Sequence, residues 1–220
     1  MNSRLLPYRH KSKIWDRLVL EPLPKKWNGA IIYLDRDGVL NRGSENYVNS
    51  VNELEILPNV AESLSILRNN GFRLCLVTNQ SPINRGLWSH KVLEDIHEKL
   101  INELQNESED AILDLILYSP YKPDENSISR KPNPGMLMAG NYIINMAERN
   151  YKDSKLIIDD LSECELFDEN PLSSMVGDRI VDYEAGKLHG VRTFLVDPNI
   201  GLPDVIDRLL DNNDKGDVLE

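Results

Sequence analysis

Five short, nearly uninterrupted apolar runs divide this chain, and amphipathic helical patterns stand between them. The runs are Ala30-Ile31-Ile32-Tyr33-Leu34, Phe72-Arg73-Leu74-Cys75-Leu76-Val77, Leu113-Asp114-Leu115-Ile116-Leu117-Tyr118, Ser174-Met175-Val176 and Val191-Arg192-Thr193-Phe194-Leu195-Val196. Continuous apolar segments of this length suit strands buried on both faces. Pro58 opens a helix on which Val60, Leu64 and Leu67 share a face, with Gly71 placed to cap its C-terminus. Ser89 is placed to cap a second helix carrying Val92, Leu93, Ile96, Leu100 and Leu104. Further helices are predicted after Pro134, from about Asp182 to His189 before Gly190, and after Pro203 with Val205, Ile206, Leu209 and Leu210 inward. This alternation predicts an α/β fold of three layers, a mainly parallel sheet with helices on both faces. Its ligand site should lie outside the carboxyl ends of the strands.

Chemistry follows three of these runs. Asp35-Arg36-Asp37-Gly38-Val39-Leu40-Asn41 comes after the first, Thr78-Asn79-Gln80 after the second, and Gly177-Asp178-Arg179-Ile180-Val181-Asp182 after the fourth, while Arg130-Lys131-Pro132 precedes a helix. Each alone is an ordinary turn or cap signal. Four in this order bring acids, a hydroxyl and cations to one sheet edge, a set suited to phosphoryl transfer, which needs up to about 10²¹-fold acceleration. The Asp35 carboxylate can attack phosphorus in line. Asp37, two residues on and on the same side of an extended chain, can protonate the leaving oxygen and later take a proton from water. An anionic nucleophile is repelled by a phosphate, by roughly 4 kcal/mol per charge pair at about 4 Å and an effective dielectric of about 20, so cations have to offset it. Asp35 and Asp178, with a backbone carbonyl, are hard oxygen ligands suited to Mg²⁺. Lys131 and Thr78 can stabilise the phosphoryl group in transit. Asp182, one helical turn after Asp178, is placed either to hold metal-bound water or to orient Lys131.

Over about residues 30–197 these motifs resemble the haloacid dehalogenase superfamily of aspartate-nucleophile phosphohydrolases. Asp35-Arg36-Asp37-Gly38-Val39-Leu40-Asn41, Thr78-Asn79-Gln80-Ser81 with Arg85-Gly86, and Arg130-Lys131-Pro132-Asn133-Pro134-Gly135-Met136 are similar to the branch of heptose 1,7-bisphosphate and histidinol-phosphate phosphatases. The resemblance implies a Rossmann-like domain without a separate cap domain, Mg²⁺ dependence, and a small phosphorylated sugar or alcohol as substrate. It assigns Asp35 as nucleophile, Asp37 as proton donor, and Thr78 and Lys131 as phosphoryl stabilisers. Asn79, Arg130 and Arg179 fall to substrate binding, and metal ligation to Asp35, Asp37 through its carbonyl, and Asp178. The branch typically carries zinc ligands where this chain has Ser119-Pro120-Tyr121 and Ser127-Ile128-Ser129. Hydroxyls do not replace thiolate and imidazole as zinc ligands, so this loop is expected to be zinc-free and held by its own packing. Tyr47-Val48 is placed for a small flap near the leaving group.

Charge narrows the partners. A net charge of −11 opposes a nucleic-acid or anionic-membrane surface, and with it the rival reading as a nucleic-acid end phosphatase. Residues 1–28 are the exception, with Arg4, Arg9, Lys11, Lys13, Arg17, Lys25 and Lys26 against Asp16 and Glu21. They read as a basic, solvated arm ahead of a single domain at 29–220. An acidic insertion at about 151–173 is longer than usual between a helix and a strand, and is expected on the face opposite the site as a surface excursion. Two cysteines, Cys75 and Cys164, and no long apolar run point to a reducing cytoplasm. A non-catalytic scaffold is the third reading. It draws nothing from a chain that retains Asp35 and Asp37.

Overall fold

The structure, a computed structural model, describes residues 1–44, 46–150 and 159–219. One six-stranded sheet organises them, in the order β1 (Tyr8–Arg9), β4 (Leu115–Ser119), β3 (Arg73–Asn79), β2 (Ile31–Leu34), β5 (Ser174–Gly177) and β6 (Arg192–Leu195). Only β1 runs antiparallel, against β4; the other pairs are parallel. Every residue of β2 is buried, as its unbroken apolar run requires. Alternation across the sheet separates two cores. Ile32, Leu34, Leu74 and Leu76 face α1 (Val60–Asn69), α2 (His90–Glu107) and α5 (Ile206–Leu210). Ile31, Tyr33, Cys75 and Val77 face α3 (Gly135–Glu148) and α4 (Ile180–His189).

The strand order reverses around β2. Its neighbours are β3 on one side and β5 on the other, so the segments leaving these three strands meet over the carboxyl edge. Between β2 and α1, the helical structure among the described residues is one 3-10 turn at Val51–Glu53.

Several predicted boundaries move. Pro58 does not begin α1, because Asn59, in the left-handed region at φ 63°, stands between it and Val60. Ser89 occupies the N-cap position of α2, but its hydroxyl makes no capping bond. Pro203 opens a 3-10 turn at Leu202–Val205, which then becomes α5.

The basic arm is not a solvated tail. Tyr8 and Arg9 form the edge strand, and Leu6, Ile14, Trp15, Leu18 and Trp27 pack against the α3/α4 core. Trp15 meets the Tyr142 ring edge-on at 5.9 Å. Farther along, the carbonyls of Glu21 and Pro22 accept from Arg73 and Arg68. Burial of scattered aromatics and capture of two buried guanidinium groups outweigh the cost of ordering these residues.

The acidic insertion also departs from expectation. Residues 151–158 lie outside the described part; the remainder doubles back along α3. Leu161 is fully buried and approaches Gly135 at the start of α3, toward the site end of the molecule. Its amide donates to the Ser3 carbonyl. Glu169 then anchors the return, accepting from Tyr33 Oη (2.6 Å), His189 Nε2 (2.8 Å) and Asn141 Nδ2 (3.0 Å). Burial pushes the Glu169 carboxyl up, but the bonds from His189, Ser173 and Tyr33 prevail and hold it below the usual range. A folded-state value below the unfolded one stabilises at neutral pH, and the gain is lost as pH falls through the folded value. Glu169→Gln should therefore cost about 2 kcal/mol in urea unfolding at pH 7, a difference that shrinks below about pH 4.

Candidate active site

Asp35 is the first residue after β2, and its carboxylate lies at the carboxyl edge, almost fully enclosed. Lys131 Nζ stands 2.9 Å from Asp35 Oδ1 and 2.6 Å from Asp182 Oδ1. Asp178, next after β5, completes the group: Asp35, Asp178 and Asp182 each offer a carboxylate oxygen within 4.8 Å of the others. Among the described residues this is the cluster suited to sharing a cation.

Close backbone approach makes the cluster possible. A Cβ on Gly38 would sit 2.5 Å from Asp178 Oδ2, and its φ of +79° is one that glycine adopts without strain. A Cβ on Gly177 would lie 2.1 Å from Asp182 Cβ. A side chain at Gly38 would drive the two acidic loops apart, and one at Gly177 would displace Asp182 within its own loop.

The electrostatics of the cluster favour added positive charge. Burial pushes the Asp35 carboxyl up to about 6; Lys131 opposes the shift, while Asp182 and Asp37 add to it. Burial and the Asp35 charge carry Asp178 to about 6 as well. One ammonium thus serves several enclosed acids, and Asp178 Oδ1 is buried with no hydrogen-bond partner. An orphaned hard oxygen beside a second carboxylate fits a divalent cation. Burial lowers Lys131, but Asp182 and Asp35 outweigh it and raise its pKa, so the ammonium stays charged. Of the two placements open to Asp182, orientation of Lys131 is the one its contacts support. Its other oxygen accepts from the Arg179 amide at the start of α4.

Asp37 points elsewhere. Arg36 donates to both its oxygens from Nη2, each at 2.9 Å, and Asn41 Nδ2 adds a bond at 2.9 Å. Burial alone would raise its pKa, yet Arg36, Asn41 and Gln80 hold it below the usual carboxylate range. A carboxylate kept ionised suits proton acceptance; to act as the proton donor expected of it, Asp37 has to loosen from Arg36 and take up a proton first. Gln80 joins two motifs, donating to Asp37 Oδ2 at 3.3 Å and to Thr78 Oγ1 at 2.9 Å. Since Thr78 Oγ1 accepts that bond, its own proton is left to donate into the site.

Three residues with roles in this geometry were missed in the sequence. Arg36 is buried directly between the two aspartates, where a fully enclosed cation needs an acid. Asn41 and Gln80 lie within the quoted motifs, and Gln80 follows Thr78 by the two residues that put it on the same side of an extended chain. Asn79, expected to bind substrate, instead engages the Lys131 peptide at both ends of its amide: Nδ2 donates to Lys131 O at 3.0 Å and Oδ1 accepts from Lys131 N at 3.1 Å. Arg130 lies in the same loop, donating from Nη1 to Tyr121 O at 2.9 Å. Burial and the nearby Arg85 lower its pKa, while Tyr47 and Glu125 act the other way. The expected flap divides accordingly: Val48 enters the core, and Tyr47 stays 38% exposed within electrostatic reach of Arg130. Arg179 is exposed, with Nε 3.8 Å from Asp178 Oδ2.

Residues 30–160 match the family described as polynucleotide kinase 3 phosphatase. Over 176 residues the chain is 32% identical to a D-glycero-D-manno-heptose-1,7-bisphosphate 7-phosphatase of Chlorobaculum tepidum, covering 77% of this chain and 79% of that protein. The chain is a phosphatase of the haloacid dehalogenase superfamily. It belongs to the matched family and to the branch holding the heptose bisphosphate enzymes. A second relative, the D-glycero-beta-D-manno-heptose-1,7-bisphosphate 7-phosphatase of Pseudomonas aeruginosa, is 39% identical over 108 residues; that match spans 49% of this chain and 60% of the relative. The crystal structure of the D,D-heptose 1,7-bisphosphate phosphatase of B. bronchiseptica, in complex with magnesium and phosphate, superposes with a TM-score of 0.64 at 27% identity. It covers 82% of this chain and 98% of its own. The phosphatase is accordingly a phosphoric monoester hydrolase. Among its described residues no helix is long and apolar enough to cross a membrane.

Proposed function

We propose that this phosphatase hydrolyses a small sugar phosphate of the heptose bisphosphate class, with Mg²⁺, through an aspartyl phosphate on Asp35. The observation that carries the reading is the enclosed group of Asp35, Asp178, Asp182 and Lys131, in which a nucleophile, a cation and an unsatisfied ligand oxygen stand side by side. Asp35 and Asp178, with the Asp37 carbonyl, would hold the metal. When bound, Mg²⁺ supplies charge neutralisation between the nucleophile and the phosphate.

An Asp35 oxygen forms the new bond to phosphorus as the bond to the sugar oxygen breaks, and protonated Asp37 gives that oxygen its proton. Asp37, now anionic and matched to Arg36, takes a proton from water. That water attacks phosphorus, and the Asp35–phosphorus bond breaks to release phosphate. Lys131 and the Thr78 hydroxyl balance charge on the transferring group in both steps. Arg130, with Arg85 nearby, supplies cationic recognition of an anionic or polyhydroxylated leaving group. The names of the relatives favour heptose bisphosphate over histidinol phosphate. A cytoplasmic location accords with the two free cysteines.

The family description brings forward one rival, a phosphorylated nucleic-acid end, which the net charge of −11 opposes. Phosphate release should be compared on heptose 1,7-bisphosphate, histidinol phosphate and a 3′-phosphorylated oligonucleotide, each ranked by kcat/KM. The sugar bisphosphate should lead by at least about 10-fold, a gap of about 1.4 kcal/mol; a leading oligonucleotide would overturn the proposal. EDTA should abolish turnover and Mg²⁺ restore it. Elemental analysis of stripped and reconstituted protein is expected to find no stoichiometric zinc, and one tightly held zinc per chain would show that the 119–129 loop binds zinc after all.

A further inference from the structure

The loop from Ser119 to Arg130 is tied to the beginning of the chain. Asn2 N donates to Asn126 O at 2.6 Å, and Ile128 N donates to Asn2 O at 3.1 Å. Side chains repeat the connection: the hydroxyls of Ser127 (3.0 Å) and Ser129 (2.5 Å) both donate to Leu5 O, and Tyr121 Oη donates to Leu6 O at 2.9 Å. Ser127 and Ser129 are buried. The opposite side of the same segment is also fixed, by the bond from the Leu161 amide to Ser3 O and by Arg4 Nε, 3.7 Å from Asp160. Tyr8 then enters the sheet beside Tyr118.

We infer that residues 2–6 are a strap that positions the recognition residue Arg130 by ordering the loop that carries it. Tyr121, Ser127 and Ser129 occupy three of the four places where the resembled branch carries zinc ligands, and here their hydroxyls close onto main-chain carbonyls of the strap. Arg130 depends on this loop twice: its Nη1 donates to Tyr121 O, and its amide donates to Ser127 O at 3.3 Å. Lys131 does not share that dependence. Its peptide is held by Asn79 from β3, and its ammonium by Asp35 and Asp182. Loosening the strap should therefore affect recognition and spare the phosphoryl chemistry.

The test uses the full chain with Tyr121→Phe, Ser127→Ala and Ser129→Ala combined, which removes the three hydroxyls and no backbone. Hydrogen exchange at the Ile128 and Arg130 amides should speed up by about 10-fold or more, with exchange in β2 and β3 unchanged. The KM for heptose 1,7-bisphosphate should rise about 10- to 100-fold while kcat stays within about twofold, the result of displaced recognition rather than damaged chemistry. Turnover of p-nitrophenyl phosphate, which offers Arg130 no second anionic group, should not change. Unaltered exchange at Ile128 and Arg130 would overturn the strap, as would a kcat that falls with KM constant. The KM arm rests on the proposed substrate and the exchange arm does not. If the parent enzyme ignored the sugar bisphosphate, that reading would fail while the exchange result still decided the strap.

Discussion

Asp35→Asn should lower kcat by about 10⁴-fold or more while the protein stays folded. The amide is nearly the same size as the carboxylate but is a far weaker nucleophile, so no covalent phosphoryl intermediate forms. Stability should not fall with activity. Burial raises Asp35 from its ordinary value to about 6, so in the metal-free protein the ionised form at pH 7 costs folding free energy rather than supplying it. Removing that charge relieves the cost, and Lys131 keeps Asp182 as a partner. Phosphate release and thermal unfolding measured side by side check both halves. Full activity in the variant, once contaminating phosphatase has been excluded, would remove Asp35 from its role.

The second large effect lies at the other end of the sheet. Asp114 Oδ1 receives Arg68 at 2.9 Å and Arg73 at 2.7 Å, and its Oδ2 accepts from the Leu74 amide at 2.8 Å. The Arg68 and Asp114 side chains are fully buried. Asp114→Ala would leave two enclosed guanidinium groups short of their shared anion, a loss of about 3–5 kcal/mol. Against a total stability of about 5–15 kcal/mol this is severe, and the thermal midpoint should drop by roughly 10 °C. Kinetic constants of the fraction that remains folded should be unchanged, because Asp114 sits at the amino ends of β3 and β4, opposite the edge that carries the acidic cluster. A drop of less than about 2 °C would show that the Glu21 and Pro22 carbonyls and Glu148, which accepts from Arg73 Nε at 2.6 Å, already satisfy these arginines.

The sheet was legible in the chain because buried parallel strands need unbroken apolar runs, and here three of the runs lead directly into a residue of the candidate site. Asp35, Thr78 and Asp178 were placed by that logic alone. Lys131 was harder, since it follows a loop rather than a strand; the one-turn spacing after Asp178 left Asp182 two placements, and only the 2.6 Å contact with Lys131 Nζ favours one of them. The arm escaped because its apolar residues are scattered among seven cations and form no periodic face, while its edge strand is only two residues long. Glu169 lies in the acidic insertion read as a surface excursion, and its role escapes the sequence for a similar reason. Its burial depends on Tyr33, Asn141 and His189, which lie far away in sequence. The Arg36 clasp on the Asp37 carboxylate and the Asn79 clasp on the Lys131 main chain are made by side chains that residue type alone left free to point at a substrate.

Arg130 and Lys131 are adjacent in the chain yet rest on different foundations, one on the loop and the beginning of the polypeptide, the other on the central sheet. Substitutions drifting through the outer support can change which ester this protein accepts without passing through intermediates that have lost the ability to cleave one. Selection for a new substrate has room to act at positions 119–129, and a library confined to that stretch would be a direct way to exploit it.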